Sequence, residues 1–276
     1  MMLLNLGCGH RIHPAWINID YVKTEEGVLA YDLTRGIPFP DYAFDVVYHS
    51  HFLEHLSHTN AQQCLKECYR VLRPQGVLRV VVPDWENVVR LYFEALEQAA
   101  AGSAEWAENY EWLVLEMIDQ MVRTSQGGEM RNHLFQKGIP NKKFVIERGG
   151  IEIRDMLAFA SHQVRKASGK ATFIQRLRHI SRYPYYAREM LLRLLLGKEY
   201  QTLQIGRFRL SGETHQWIYD RYSLTRLLKI CGFEEIMPRT AFESAIPQWP
   251  EFYLDIEPDG TIYKPNSLYM EARKPA

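Results

Sequence analysis

The sequence predicts an α/β protein built on a mostly parallel β-sheet with helices on its faces. Three observations carry that prediction. Short apolar runs, each closed by glycine, serine or aspartate, recur through the first 84 residues. They are rich in Val and Leu on both faces, as strands buried between two layers of helix are. Between two of them lies NAQQCLKECYRVLRP (60–74), whose Cys64, Leu65, Cys68 and Leu72 recur at helical spacing, giving a strand–helix–strand unit.

Taken in order, MLLNLG (2–7) reads as a buried strand stopped by glycine, WINID (16–20) as the second strand and VLAYDL (28–33) as the third. FDVVYHS (44–50) is the fourth; after the helix, which Pro74-Gln75-Gly76 stops, GVLRVVVPD (76–84) is the fifth. Residues 86–210 change character. ENVVRLYFEALEQAA and AEWAENYEWLVLEMIDQMV are long helical patterns, the second with Trp106, Tyr110, Leu113, Met117 and Met121 along one face. Further helix is expected at 151–166 and 172–196, with Gly127-Gly128 and Gly149-Gly150 as punctuation. YSLTRLLKICGFEEI (222–236) is a helix with Gly232 just past its end, running into a strand. SLYMEAR (267–273) is a last, alternating strand after the Pro258-Asp259-Gly260 turn. The expected organisation is a core of 1–85 and 211–276 interrupted by a mostly helical insertion, 86–210.

Composition narrows the function classes. The 276 residues are 46% hydrophobic and 24% charged with no formal net charge, so no global field draws the chain to nucleic acid or an anionic membrane. Charge is uneven locally: residues 91–120 hold seven acids and no Lys or Arg, whereas 161–210 hold eleven bases and two acids. The two segments can pack on each other, or the basic one can face an anionic partner. The four cysteines (Cys8, Cys64, Cys68, Cys231) form no CxxC and read as reduced thiols. The apolar start ends at Asn5, so no signal peptide is expected, and no apolar run reaches the roughly 18 residues of a membrane span. A cytoplasmic location is the expectation. The basic, aromatic stretch 176–198 leaves contact with a membrane surface as a secondary one.

The chemistry-bearing residues begin at Leu4-Asn5-Leu6-Gly7-Cys8-Gly9, a G-x-G at the exit of the first strand. A dinucleotide site calls for a third glycine at position 12, here Ile12, and for an acid after a full helix. Asp20 follows Gly7 too soon for such a helix, with Pro14 between them. A helix N-terminus for a pyrophosphate is therefore poorly provided for, which favours a ligand without one. Asp20, ending the second strand, can accept from both hydroxyls of a ribose. Asp32, with Leu33, can accept from an adenine amino group. Each also reads as a turn or cap aspartate.

The ordered series LNLGCG (4–9), INID (17–20), YDLTRGIPFPDYAFDVVYHSHFLEHL (31–56), ECYRVLRPQGVLRVVVPD (67–84) and SLTRLLKICGF (223–233) resembles class I S-adenosylmethionine (SAM)-dependent methyltransferases. It is most similar to a bacterial predicted-methyltransferase group of the type-11 superfamily. The resemblance covers roughly 2–84 and 211–273. It implies a Rossmann-like, mostly parallel seven-stranded sheet and SAM as cofactor, with S-adenosylhomocysteine as product. It implies that Asn5, Leu6, Gly7, Cys8 and Gly9 line the methionine part of the cofactor. Asp20 would take the ribose hydroxyls, with Tyr21 beside it in the cofactor site, Asp32 and Leu33 the adenine, and His49, Ser50 and His51 the floor near the sulfonium. Two positions depart from the family: Asn5 stands where an acid is usual, and Arg11 where a further glycine is.

HSHFLEHLSH (49–58) contains His51-Phe52-Leu53-Glu54-His55, an H-x-x-E-H pattern that also occurs in zinc peptidases. That reading needs both histidines on one helix and a further carboxylate ligand. Here a strand runs straight into His49, so no metal is expected and the zinc hydrolase is a remote alternative. In the methyltransferase reading Glu54 and His55 fix loop and cofactor geometry. His51 is the leading general base, His215 the second candidate, His133 a third, and each also reads as a structural histidine. Trp106, Trp112 and Trp217 are candidate walls of an acceptor site, or core. The expected function is methyl transfer to a small-molecule or saccharide acceptor, at oxygen, with no nucleic acid partner. A SAM-fold scaffold without turnover is the alternative.

Overall fold

A computed structural model describes residues 1–166 and 183–276. Along the chain the strands are β1 (Leu3–Leu6), β2 (Ile17–Asp20), β3 (Val28–Ala30), β4 (Phe44–Ser50), β5 (Leu72–Pro83), β6 (Glu234–Arg239) and β7 (Ser267–Arg273). They form one sheet in the order β3-β2-β1-β4-β5-β7-β6. β1 to β5 run parallel, and β7 is antiparallel to both β5 and β6. The seven-stranded α/β sheet expected from the sequence is therefore present, mixed at one edge.

Two boundaries move. β3 stops at Ala30 because Asp32 caps a 3₁₀ turn, Leu33–Arg35, by accepting from the Thr34 N–H. Helix α1 (His58–Val71) starts earlier than expected, at a Ser57 cap that accepts from Asn60 N–H. It also ends earlier, since Pro74 excludes the helical backbone just before it. β5 begins at once, with residues between Leu72 and Val77 bulged out of register against β4.

Strand alternation explains the two faces. Leu4, Leu6, Val47, Leu78 and Val80 point to one side, where α1 and α8 (Arg221–Ile230) cover them. Leu3, Val46, Tyr48, Val77 and Val81 point to the other. There, Trp16 and the segment carrying Ala241, Ile246, Trp249, Leu254 and Ile256 form the cover. That segment replaces the helix missing between β1 and β2. Arg11, the departure noted in the sequence, anchors it: its guanidinium donates to the carbonyls of Tyr253 (2.6 Å) and Ile256 (3.1 Å) and to the Glu257 carboxylate (2.7 Å). Arg79, a lone charge inside the apolar run of β5, is fully buried on this face. It donates to Asp255 (2.8 Å) and Glu271 (2.9 Å) and lies over the Trp249 ring.

Between β5 and α8 the described residues form α2 (Trp85–Ala100), α3 (Ala104–Val122), α4 (Gly128–Leu134), α5 (Lys142–Lys166), α6 (Tyr183–Leu196) and α7 (Glu199–Arg209). Trp112, Leu134, Val145 and Ile153 make a small core of their own. Gly149-Gly150 punctuates as expected: Gly150, at φ 64, is non-helical and divides α5 at a kink, and a Cβ there would clash with the Tyr263 carbonyl. Only glycine lets α5 press so closely on the 263–265 backbone.

The acidic α3 finds its base within α5, where Arg148 pairs with Glu116 at 2.6 Å. Among the described residues, Arg188 and Arg207 pair with Glu189 inside their own segment. Of the basic stretch 176–198, and of the helix expected at 172–196, residues up to 182 lie outside the described residues. α6 exposes Met190, Leu191, Leu194 and Leu195. No described helix is long and apolar enough to cross a membrane. The four cysteines are free and buried.

Candidate active site

The parallel strands β1, β2 and β4 end side by side, so the loops leaving them meet at one sheet edge. Gly7 and Gly9 both have left-handed backbones, φ 61 and 52. A Cβ on Gly9 would meet nothing within 4 Å, so this glycine faces open space. Asp20 Oδ2 accepts the Gly9 N–H at 2.8 Å, tying the ends of β1 and β2 together, and Oδ1 accepts from Val22 at 3.3 Å. Tyr21 beside it is largely exposed. Asp32 Oδ1 accepts from the Thr34 hydroxyl and N–H, which hold its carboxyl below the usual range. An open glycine backbone, an acid at the end of β2 and a second acid past β3 fit a ribosyl-adenine ligand with a methionine tail.

Several expected cofactor contacts sit elsewhere. Asn5 is buried and donates to the Arg11 carbonyl (2.9 Å) and to Asn18 Oδ1 (3.0 Å). It holds the glycine loop from behind and does not reach its open side. Gly7 is filled rather than open: a Cβ would stand 2.5 Å from the Phe52 ring. Leu6 belongs to the core, where its side chain offers a ligand nothing. Cys8 is buried, which with Asp20 nearby pushes its thiol up to about 12. His49 is fully buried edge-on to Phe52, with no hydrogen-bond partner on either nitrogen, and burial lowers it to about 4. Ser50 and Leu33 are half-buried at their strand exits.

Past β4 the chain turns sharply. His51 adopts φ 49, a left-handed conformation costing a non-glycine residue about 1–2 kcal/mol. The turn aims its ring at a cavity of about 320 Å³ between the strand ends and α2–α5. His51 Nε2 lies 2.9 Å from Ser267 Oγ at the start of β7, and Nδ1 lies 3.3 Å from Glu54 Oε1. Glu54 and His55 form a 3₁₀ turn, Leu53–His55, so the H-x-x-E-H pattern is not the helix a zinc peptidase needs. His215 joins them from the irregular run before α8. Its N–H donates to the Gln120 carbonyl, while the N–H groups of Gln216 and Trp217 donate to the Glu54 carbonyl.

The electrostatics of this corner are unusual. Glu54 is 1% exposed and neither carboxylate oxygen has a hydrogen-bond partner. Burial would raise it, but the His51 contact, with His55 and His215 behind it, outweighs burial and holds it below the carboxylate range. Burial lowers His51 and brings His215 down to about 3. These two imidazoles are thus neutral at pH 7, and a neutral ring is a weak counterion. Across the cavity Lys264 pairs with Glu152 at 3.0 Å and holds that carboxyl down.

The rest of the cavity was only partly foreseen. Trp112 lines it, as does Met121; His133 is not among the lining residues. Trp106 packs between α2 and α3, and Trp217 stands half-exposed against His58. Glu116, Arg148, Glu152 and Lys264 also line the cavity, and no motif in the sequence singles them out. The available signal was their charge: Glu116 interrupts the apolar VLEMI run of α3, and charges inside apolar patterns are rarely left buried without a purpose.

Residues 11–80 match the family model described as a methyltransferase domain. No curated protein sequence matches the chain. Among solved structures, the YcgJ protein from Bacillus subtilis is similar at 20% identity and TM-score 0.25, over 35% of this chain and 51% of that one. The chain thus spans about half the length of that protein. A SAM-dependent methyltransferase from Archaeoglobus fulgidus is similar at 12% identity and TM-score 0.38, over 99% and 86% of the two chains. A possible histamine N-methyltransferase from Thermotoga maritima is similar at 12% identity and TM-score 0.38, over 99% and 82%. A dinucleotide-binding sheet has strand order 3-2-1-4-5-6, whereas here an antiparallel β7 enters between β5 and β6. Residues 11–80 are thus similar to a methyltransferase domain, and the sheet order is not that of a dinucleotide-binding fold.

Proposed function

We propose that the chain transfers a methyl group from SAM to a hydroxyl of a small-molecule or saccharide acceptor held in the cavity beside His51. The observation that carries this reading is the cavity's position. It opens where β4 and β5 end, and His51 in its wall is followed in the chain by Phe52, which lies behind the wall and packs on Gly7 of the loop after β1. Its lining mixes aromatic and methionine surface with polar groups that a hydroxylated acceptor can pair with. Helices α2–α5 would serve as its lid.

In this reading Asp20 takes the ribose hydroxyls with Tyr21 beside it, Asp32 and Leu33 flank the adenine, and the open Gly9 backbone and Ser50 border the methionine part. SAM supplies a methyl group already activated on a sulfonium, so the protein must align the acceptor and accept its proton. His51 is the proposed base. With Nδ1 turned to Glu54, its Nε2 lone pair points to Ser267 and the cavity. As the acceptor oxygen bonds the methyl carbon and the carbon–sulfur bond breaks, the hydroxyl proton would pass to Nε2. The buried Glu54 carboxylate would stabilise the imidazolium so formed. His215 is proposed as an acceptor-side contact in the same corner.

Calorimetric titration with SAM and with S-adenosylhomocysteine tests the cofactor assignment, and micromolar binding is expected. A panel of hydroxylated acceptors, scored by S-adenosylhomocysteine release, then tests transfer. His51→Ala is expected to lower kcat by about 10²–10⁴-fold with cofactor affinity unchanged. Cofactor binding without turnover on any acceptor would favour a scaffold; binding of neither nucleoside would overturn the proposal.

A further inference from the structure

The corner formed by Glu54, His55 and His215 has a chemistry that methyl transfer alone does not use. One potential ligand atom from each of the three lies within 4.8 Å of the others. Two imidazoles and one carboxylate suit a borderline divalent metal of the zinc class, whereas calcium and magnesium prefer oxygen-only sets. In a tetrahedral site with bonds near 2.0–2.1 Å the donor atoms stand about 3.3 Å apart. The two backbones that carry the ligands are already joined by hydrogen bonds: Gln216 N–H donates to the Glu54 carbonyl at 2.7 Å.

A second observation points the same way. Glu54 is almost fully buried with no well-directed hydrogen bond to either oxygen, its nearest donor being His51 Nδ1 at 3.3 Å, and the buried Nδ1 of His55 is also without a partner. Among the described residues no Lys or Arg nitrogen lies within 4 Å of Glu54; its one ion-pair contact is His51 Nδ1. A buried carboxylate without a well-directed donor or a firm cation is costly, and a bound cation removes that cost. We propose that Glu54, His55 and His215 bind one divalent transition-metal ion of the zinc class, with its remaining coordination positions open to the cavity.

This is not the ligand set that H-x-x-E-H would give on a helix. His51 turns to Ser267 instead of joining the other two, and the third ligand comes from beyond the helical segment. Three protein ligands leave the coordination shell incomplete, the mark of a site that takes a substrate atom and not a purely structural one. A hydroxyl or carbonyl oxygen of the acceptor is the atom the cavity would present. That last step rests on the methyl-transfer reading; the binding of the ion does not.

The test is calorimetric titration of the EDTA-treated, re-dialysed full chain with zinc chloride, in the absence of SAM. One equivalent should bind at micromolar affinity or tighter. Cobalt loading should give a visible absorption band that zinc displaces. Glu54→Gln and, separately, His215→Asn should each weaken zinc at least about 100-fold, while His58→Ala, on the exposed side of the same segment, should change it less than about 2-fold. Circular dichroism melts and S-adenosylhomocysteine titration of each variant report folding and cofactor binding independently. Should Glu54→Gln fail to fold, His215→Asn decides. Absence of stoichiometric zinc binding, or equal affinity in wild type and in the folded ligand variants, overturns the metal site and leaves the methyltransferase reading intact. Zinc binding without SAM binding overturns the latter alone.

Discussion

Gly7 and Gly9 share a left-handed backbone for different reasons. Gly7 makes room for Phe52, whereas Gly9 borders open space. Gly9→Ala should therefore cost about 1–2 kcal/mol, the left-handed penalty alone. Gly7→Ala should cost clearly more, because the Phe52 ring must also move, and adding Phe52→Ala to it should cost less than the two single changes summed. Chemical denaturation of the three single variants and the double variant checks this; equal costs at Gly7 and Gly9 would refute it. Asp20 allows a sharper test of binding. Asp20→Asn keeps the shape but loses the charge that would take two ribose hydroxyls, so cofactor Kd should rise about 10- to 100-fold. The same titration on Asp32→Asn, whose assigned contact is a single amino group, should show a smaller change. At this scale the sequence displayed residue types and spacing well: the G-x-G leaves β1 and Asp20 ends β2 as expected, while Asp32 lies past β3 as a cap. It could not display what fills the space beside Gly7, or that Asn5 serves Arg11 and Asn18, because those contacts join separate strands.

Elements were legible wherever periodicity was strong. Cys64, Leu65 and Cys68 do bury one face of α1, and the β1, β4 and β5 runs do alternate between two apolar layers. Ends were less legible because caps and bulges fix them. The link between α1 and the 3₁₀ turn after β3 shows how local the deciding contacts are. Glu67 on α1 accepts from Arg70 (2.8 Å) and from the Ile37 N–H (2.9 Å), and Arg70 also reaches the carbonyls of Ile37 and Phe39. The Arg70 hydrogen bond, against partial burial, holds the Glu67 carboxyl below its ordinary value of 4.5. A carboxyl whose pKa is lower folded than unfolded stabilises the fold fully above the unfolded value, and that contribution fades as pH falls through the folded one. Glu67→Gln should therefore cost about 1–2 kcal/mol at pH 7, with the gap between variant and wild type narrowing below about pH 4.5. Urea denaturation at pH 7 and pH 3.5 measures the gap at both ends; a gap that widens on acidification would contradict the assignment.

For the molecule as a whole, the question is what holds the helical segment over the strand ends, which no periodicity in the sequence addresses. Arg148 of α5 supplies much of the answer. Its guanidinium donates to both Glu116 oxygens on α3 (2.6 and 3.0 Å) and to Asn87 on α2 (2.6 Å). Asn266, just before β7, donates to the same Glu116 carboxylate. Three helices and the sheet thus meet at one buried ion pair, both side chains being about one-tenth exposed. Removing one member of such a pair leaves the other buried and unpaired, a loss of about 3–5 kcal/mol. The cost should fall on the helices, since β1–β5 keep their own apolar layers on both faces. Hydrogen exchange of Arg148→Met should accordingly show protection lost across α3–α5 and kept in β1, β4 and β5, as expected when one cooperative unit opens before the rest. Cofactor affinity, which in the proposed reading depends on the strand exits, should stay within about 2-fold while acceptor turnover falls, because the cavity loses its far wall. Uniform loss of protection through sheet and helices would mean that the two unfold together and that α2–α5 cannot act as a separately moving cover.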